Sequence, residues 1–178
     1  RTCDVLDHLP IGETFNWVEK VSIELTTRML ATLFDFPFEE RAKLTYWSEV
    51  STAVPGMGLI ESDDERKAIM LECLEYFTGL WNERVKAPPS NDLISMLAHG
   101  EATRNMGPVE YLGNLILLIV GGNDTTRNTM SASVLNLANN PEQFRRLVAD
   151  QSLIPGMVAE TIRWQTPLAH MRRTAKFD

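Results

Sequence analysis

Apolar residues recur every three to four positions along most of the 178 residues, the spacing that gathers them on one side of an α-helix. From Glu13, the residues Phe15, Trp17, Val18, Val21, Leu25, Met29, Leu30 and Leu33 keep such a stripe until Pro37 stops it, since proline brings no backbone N–H to a helix. Glu39 to Val50 predicts a second, shorter helix. Ser51 to Glu61 contains Pro55, Gly56 and Gly58 and predicts a loop. Ser62-Asp63-Asp64-Glu65 has the form of a capping box and opens a long helix ending near Lys86, ahead of Pro88-Pro89. Asp92 to Ala98 predicts a turn or two of amphipathic helix. Pro108 to about Asn139 is the dominant element, roughly 48 Å long as one helix at ~1.5 Å per residue. Asn140-Pro141 reads as a cap followed by a first-turn proline, with a helix running to about Ala149. Another helix spans about 155–166. Pro167 ends it, and Leu168 to Phe177 predicts a short strand or extended segment.

Composition narrows the class. The hydrophobic fraction of 44% and charged fraction of 23% are those of an ordinary globular chain. A net charge of −7 argues against a nucleic-acid partner, because phosphate binding wants a basic face. Cys3 and Cys73 supply neither a disulfide framework nor a metal-ligand spacing, and Cys73 sits among apolar helical positions as a small core residue. The apolar run at 115–120 is too short to cross a bilayer. The chain starts at Arg1 and stops at Asp178, and both ends read as cut, so a partial domain over 1–178 is expected.

Two clusters carry chemistry. Within the dominant helix, Leu115 to Val120 runs directly into Gly121-Gly122-Asn123-Asp124-Thr125-Thr126. Paired glycines in a helix cost about 1 kcal/mol each relative to alanine. They allow a close helix crossing, or they leave bare backbone for a flat ligand. Thr125 follows Gly121 by four residues and Gly122 by three, so its hydroxyl can bond back to a carbonyl freed in that turn, opening the helix and making room for water. Asp124 beside it offers a carboxyl group for proton transfer. Farther on, Glu160-Thr161-Ile162-Arg163 sets opposite charges three apart on one helix face. Arg172-Arg173 on the extended segment would suit bidentate binding of a carboxylate. His170, beside them, reads as a hydrogen-bonding neighbour and not as a ligand.

Taken in order, these residues resemble the cytochrome P450 family. Gly121-Gly122-Asn123-Asp124-Thr125 is similar to its distal-helix motif, Glu160-Thr161-Ile162-Arg163 to its Glu-x-x-Arg motif, and Arg173-Thr174-Ala175 to its haem-propionate arginine site. Glu160 follows Thr125 by 35 residues, the separation that the family's intervening helix requires. The segments Val21–Thr27, Leu33–Pro37 and Ile162–Ala175 resemble the soluble bacterial branch that hydroxylates the terminal carbon of medium-chain alkanes.

The resemblance implies a mainly α fold, the central part of the family's architecture truncated at both ends, with a short β segment at the C-terminal end. It implies haem b and iron, dioxygen, a ferredoxin with its reductase, an alkane substrate and a cytoplasmic location in the full-length parent. Asp124 and Thr125 would be the catalytic acid–alcohol pair that delivers protons for O–O cleavage. Gly121 and Gly122 would lie against the haem, and Arg173, or less favourably Arg172, would meet a propionate. Leu117, Val120, Leu168 and Ala169 would line the substrate pocket, and Glu160–Arg163 would be a buried structural pair. The family's axial cysteine lies in a loop after these motifs, and no residue of this chain corresponds to it. Two alternatives stay open: the same chemistry on a fatty acid or terpene, and a haem-free all-α interaction or regulatory module.

Overall fold

The computed structural model describes residues 1–170, 174 and 175. Its elements are α1 (Thr2–Asp7), a π-helical segment (Val18–Ile23), α2 (Glu24–Leu33), a 3-10 turn (Phe38–Glu40), α3 (Ala42–Thr52), α4 (Asp63–Lys86), α5 (Leu93–His99), α6 (Pro108–Asn139), α7 (Pro141–Ala149), a second 3-10 turn (Gln151–Leu153) and α8 (Ile154–Gln165). The helix bounds follow the punctuation of the sequence closely. Ser62 Oγ accepts from the Glu65 amide at 3.1 Å, and the Glu65 carboxylate turns back to the Glu61 amide at 2.6 Å, closing the N-terminus of α4. Asp92 Oδ1 caps α5 through the Ser95 amide at 2.8 Å.

Several expectations change. The stripe from Glu13 becomes helical only from Trp17, because Asn16 Oδ1 receives the Val18 amide at 3.0 Å and starts the run there. That run then opens as a π turn before tightening into α2. Asn140 precedes α7 without capping it: its side-chain amide donates to the Asn136 carbonyl at 2.8 Å instead. No strand occurs among the described residues, so the expected C-terminal β segment is absent over 168–170 and at 174 and 175. Thr166 takes the left-handed conformation (φ 48°) and ends α8 ahead of Pro167.

The core is one aromatic and aliphatic cluster. Phe34, Phe36, Trp47, Tyr76 and Phe77 meet with ring centroids 5.1 to 6.3 Å apart, in the tilted and edge-on arrangements that aromatic quadrupoles prefer. Leu44, Ile94, Leu115 and Ile119 complete it, each fully buried. Cys73 lies in this core as expected, and burial pushes its thiol up to about 12. Helix α6 runs along the cluster and packs against the π segment, α2, α3, α4, α7 and α8. Among the described residues no helix is long and apolar enough to cross a membrane.

Candidate functional site

Helix α6 stays regular through Gly121-Gly122, and its two sides differ sharply. Leu115, Ile119 and Asn123 are fully buried on one. On the other, Leu117 is 66% exposed, Gly121 is exposed, and Asp124 and Thr125 are half-buried. The 32-residue helix thus crosses the fold with Leu117 and Gly121 open along one side of its middle.

The glycines divide the work. A Cβ on Gly121 would meet nothing within 4 Å, so this residue contributes bare backbone to the open side. A Cβ on Gly122 would lie 2.8 Å from Leu30 Cδ2, so Gly122 serves the crossing of α6 with α2. The missing side chain of Gly122 is the space Leu30 fills, so Gly121 is the glycine whose absent side chain opens toward solvent. Thr125 Oγ1 donates to the Gly121 carbonyl at 2.9 Å, the predicted back-bond. The helix is not broken by it. The same bond recurs one turn on from Thr129 to Thr125 (2.8 Å) and from Ser133 to Thr129 (2.8 Å), so the hydroxyls are absorbed along one edge of a continuous helix.

Asp124 is held from two helices. Arg127 Nη2 donates to Asp124 Oδ1 at 2.9 Å, and Arg127 Nη1 donates to Glu49 Oε1 on α3 at 3.1 Å. Burial lifts the Asp124 carboxyl above the usual carboxylate range; Arg127 opposes that rise and Glu49 adds to it. A half-buried acid that holds its proton more tightly than an exposed aspartate, next to an alcohol and bare backbone, can take up and pass a proton. The Asp124-x-x-Arg127 spacing was present in the sequence as an i,i+3 pair, but Glu49 is 78 residues from Arg127 and carries no local signal.

Behind this face a buried polar seam fixes α6. Thr26 Oγ1 donates to Asn123 Oδ1 at 2.9 Å, and Ser131 Oγ donates to Ser22 Oγ at 2.9 Å. Asn123 Nδ2 has no partner among the described residues.

The second cluster stands apart. Glu160 and Arg163 form a bidentate pair, both contacts 2.7 Å, but their side chains are 61% and 65% exposed. The expected burial is not found: α8 packs on α6 and buries Thr161, while no described element covers the pair. An open cleft of about 540 Å³ lies between the end of α6, α7 and α8, walled by Leu137, Leu147, Met157, Glu160 and Trp164. None of Leu117, Val120, Leu168 and Ala169 lines it. Leu168, Ala169 and His170 are exposed beyond α8, and Arg172 and Arg173 fall outside the described residues. Among the described residues no group of three or more His, Cys, Asp or Glu is arranged to hold a metal ion.

No protein-family model matches the chain. It is 30% identical over 177 residues to linalool 8-monooxygenase of Pseudomonas putida, covering 98% of this chain and 43% of that protein. Two solved structures superpose on it with a TM-score of 0.85: cytochrome P450-153 from Novosphingobium aromaticivorans, 53% identical over 98% of this chain and 42% of that one, and CYP153D17 from Sphingomonas sp. PAMC 26605, 55% identical over 98% and 44%. The chain thus spans less than half the length of the relatives it matches.

Proposed function

We propose, for a chain that belongs to the cytochrome P450 family, that the full-length protein is a haem-thiolate monooxygenase oxidising the terminal carbon of medium-chain alkanes with electrons from a ferredoxin and its reductase. The observation that carries this is the uncovered side of α6, where Gly121 presents bare backbone between exposed Leu117 and the Asp124–Thr125 pair. A planar macrocycle fits such a face: apolar contact is available, and no side chain at position 121 holds it off. When bound, haem supplies the oxidising chemistry by which a hydrocarbon, dioxygen, two electrons and two protons give an alcohol and water.

The chain's own residues supply the surroundings. Asp124 holds a proton near the face, with Oδ1 committed to Arg127 and Oδ2 free of protein partners among the described residues. Thr125 keeps its hydroxyl on Gly121, from where its oxygen is an acceptor for a proton or a water brought in by Asp124. Leu117 and Val120 exclude water and fit an unfunctionalised chain, with Leu168 and Ala169 proposed as further pocket walls and Arg173, or Arg172, as the propionate anchor. The axial thiolate has to come from elsewhere, since Cys73 is sealed in the core and Cys3 sits on α1.

The test uses the haem-loaded full-length protein. Thr125→Ala should keep the thiolate Soret band of the reduced carbonyl complex while diverting a large share of consumed electrons to peroxide. Unchanged coupling of electrons to product would count against the role of Thr125, and a missing band in the unsubstituted protein would remove the haem-thiolate assignment. A terpene or fatty-acid substrate is the nearest variant, favoured by the kinship to linalool 8-monooxygenase; product analysis with an alkane, linalool and a fatty acid separates them. A haem-free helical module accounts for Gly122 against Leu30 but leaves the open Gly121 face without a use.

A further inference from the structure

The guanidinium of Arg127 is shared. One nitrogen serves Asp124 on α6 and the other serves Glu49 on α3, with the three side chains 17%, 22% and 39% exposed respectively. A lone Asp–Arg pair would suffice to hold Asp124 in place. A second carboxylate from another helix competes for the same cation, and neither acid then receives the whole of it. The charged groups acting on Asp124 are Arg127 from its own helix and Glu49 from α3. The π segment and α2, which also pack on this stretch of α6, bring Ser22, Thr26 and Leu30, none of them charged.

We propose that Glu49 is a positioning residue for Asp124: by drawing Arg127 toward α3 it limits how firmly the cation holds Oδ1, and so sets how readily Asp124 takes up and releases a proton at Oδ2. This rests on Asp124 being the proton-delivering acid proposed above. The division of the guanidinium has a definite sign. Removing the Glu49 charge leaves Arg127 to Asp124 alone and favours the carboxylate. Removing the Arg127 charge leaves two half-buried carboxylates side by side and favours the protonated acid. Side chains that merely held α3 and α6 together would not move the acid in opposite directions.

The experiment follows the protonated-carboxyl infrared band that Asp124→Asn abolishes, as a function of pH, in the haem-loaded full-length protein. Glu49→Gln should lower the midpoint of that band by about half a pH unit, roughly a threefold drop in proton affinity, because the site is partly screened by solvent. Arg127→Gln should raise it by at least as much, and the double substitution should fall below Arg127→Gln alone. A midpoint unmoved by Glu49→Gln, or shifts of the same sign in both variants, overturns the inference. Peroxide release measured on the same samples addresses the underlying reading separately. If the band shifts as expected but the pH profile of peroxide release stays fixed, the coupling stands and the proton-delivery role of Asp124 falls. If the two move together, both hold.

Discussion

Asp124 sits between opposing influences: burial and Glu49 favour its neutral form, Arg127 its charged one, and the net direction is upward. The folded chain therefore keeps a proton on this acid over a pH window that begins at the ordinary aspartate range and extends above it, where the unfolded chain has already lost it. In that window folding is linked to proton uptake, so stability falls as pH rises through it. Asp124→Asn removes the titrating group, and as pH rises above the ordinary aspartate range thermal stability should decline less steeply in that variant than in the parent. Asp92 runs the other way. It is 6% exposed, and although burial opposes its ionisation, Ser90, the Ser95 amide and Arg84 together hold its carboxyl low. Its contribution is present at neutral pH and lost as pH falls through the depressed value. Asp92→Asn should cost about 1–2 kcal/mol at neutral pH by weakening the α5 cap and the Arg84 contact, and should flatten the acid limb of the stability curve.

Within α6 the adjacent glycines behave oppositely, and that offers a paired test. Gly121→Ala adds a methyl group to open space and should stabilise the helix by up to about 1 kcal/mol while blocking the exposed backbone. Gly122→Ala drives a methyl into Leu30, which is 2% exposed, and overpacking of about 1–3 kcal/mol should outweigh the propensity gain. Melting curves of the two variants should move apart; parallel shifts would contradict this division. The sequence already carried α6 itself, since Pro108 opens it, Asn140-Pro141 closes it and the apolar spacing fills it. It also carried the Thr125 back-bond, which depends only on neighbours four residues away. What it could not carry was sidedness. Leu30 against Gly122, Thr26 against Asn123 and Glu49 against Arg127 are contacts between helices, set by how α2 and α3 dock, and no local pattern encodes them. The π turn at Val18–Ile23 was hidden because its apolar spacing is still helical.

Across the molecule, burial is concentrated where α2 to α6 surround the aromatic cluster, and the far end is left bare. Glu160–Arg163 shows how a motif can be legible while its environment is not: the pairing follows from spacing on one helix, whereas its burial would need another element laid over α8. The same holds for Trp164 (69% exposed), Phe144 (50%), Val148 (63%) and Leu135 (61%), which stand on α6, α7 and α8 facing water. That bareness has a colloidal consequence. With these apolar residues on its outside, mutual repulsion of seven excess negative charges is a force that opposes association of the 178-residue chain. Acidifying toward its isoelectric point near 5.0 extinguishes that repulsion. Light scattering of the purified chain should climb steeply between pH 6 and 5, and should climb earlier in high salt, where a shorter Debye length weakens the same repulsion.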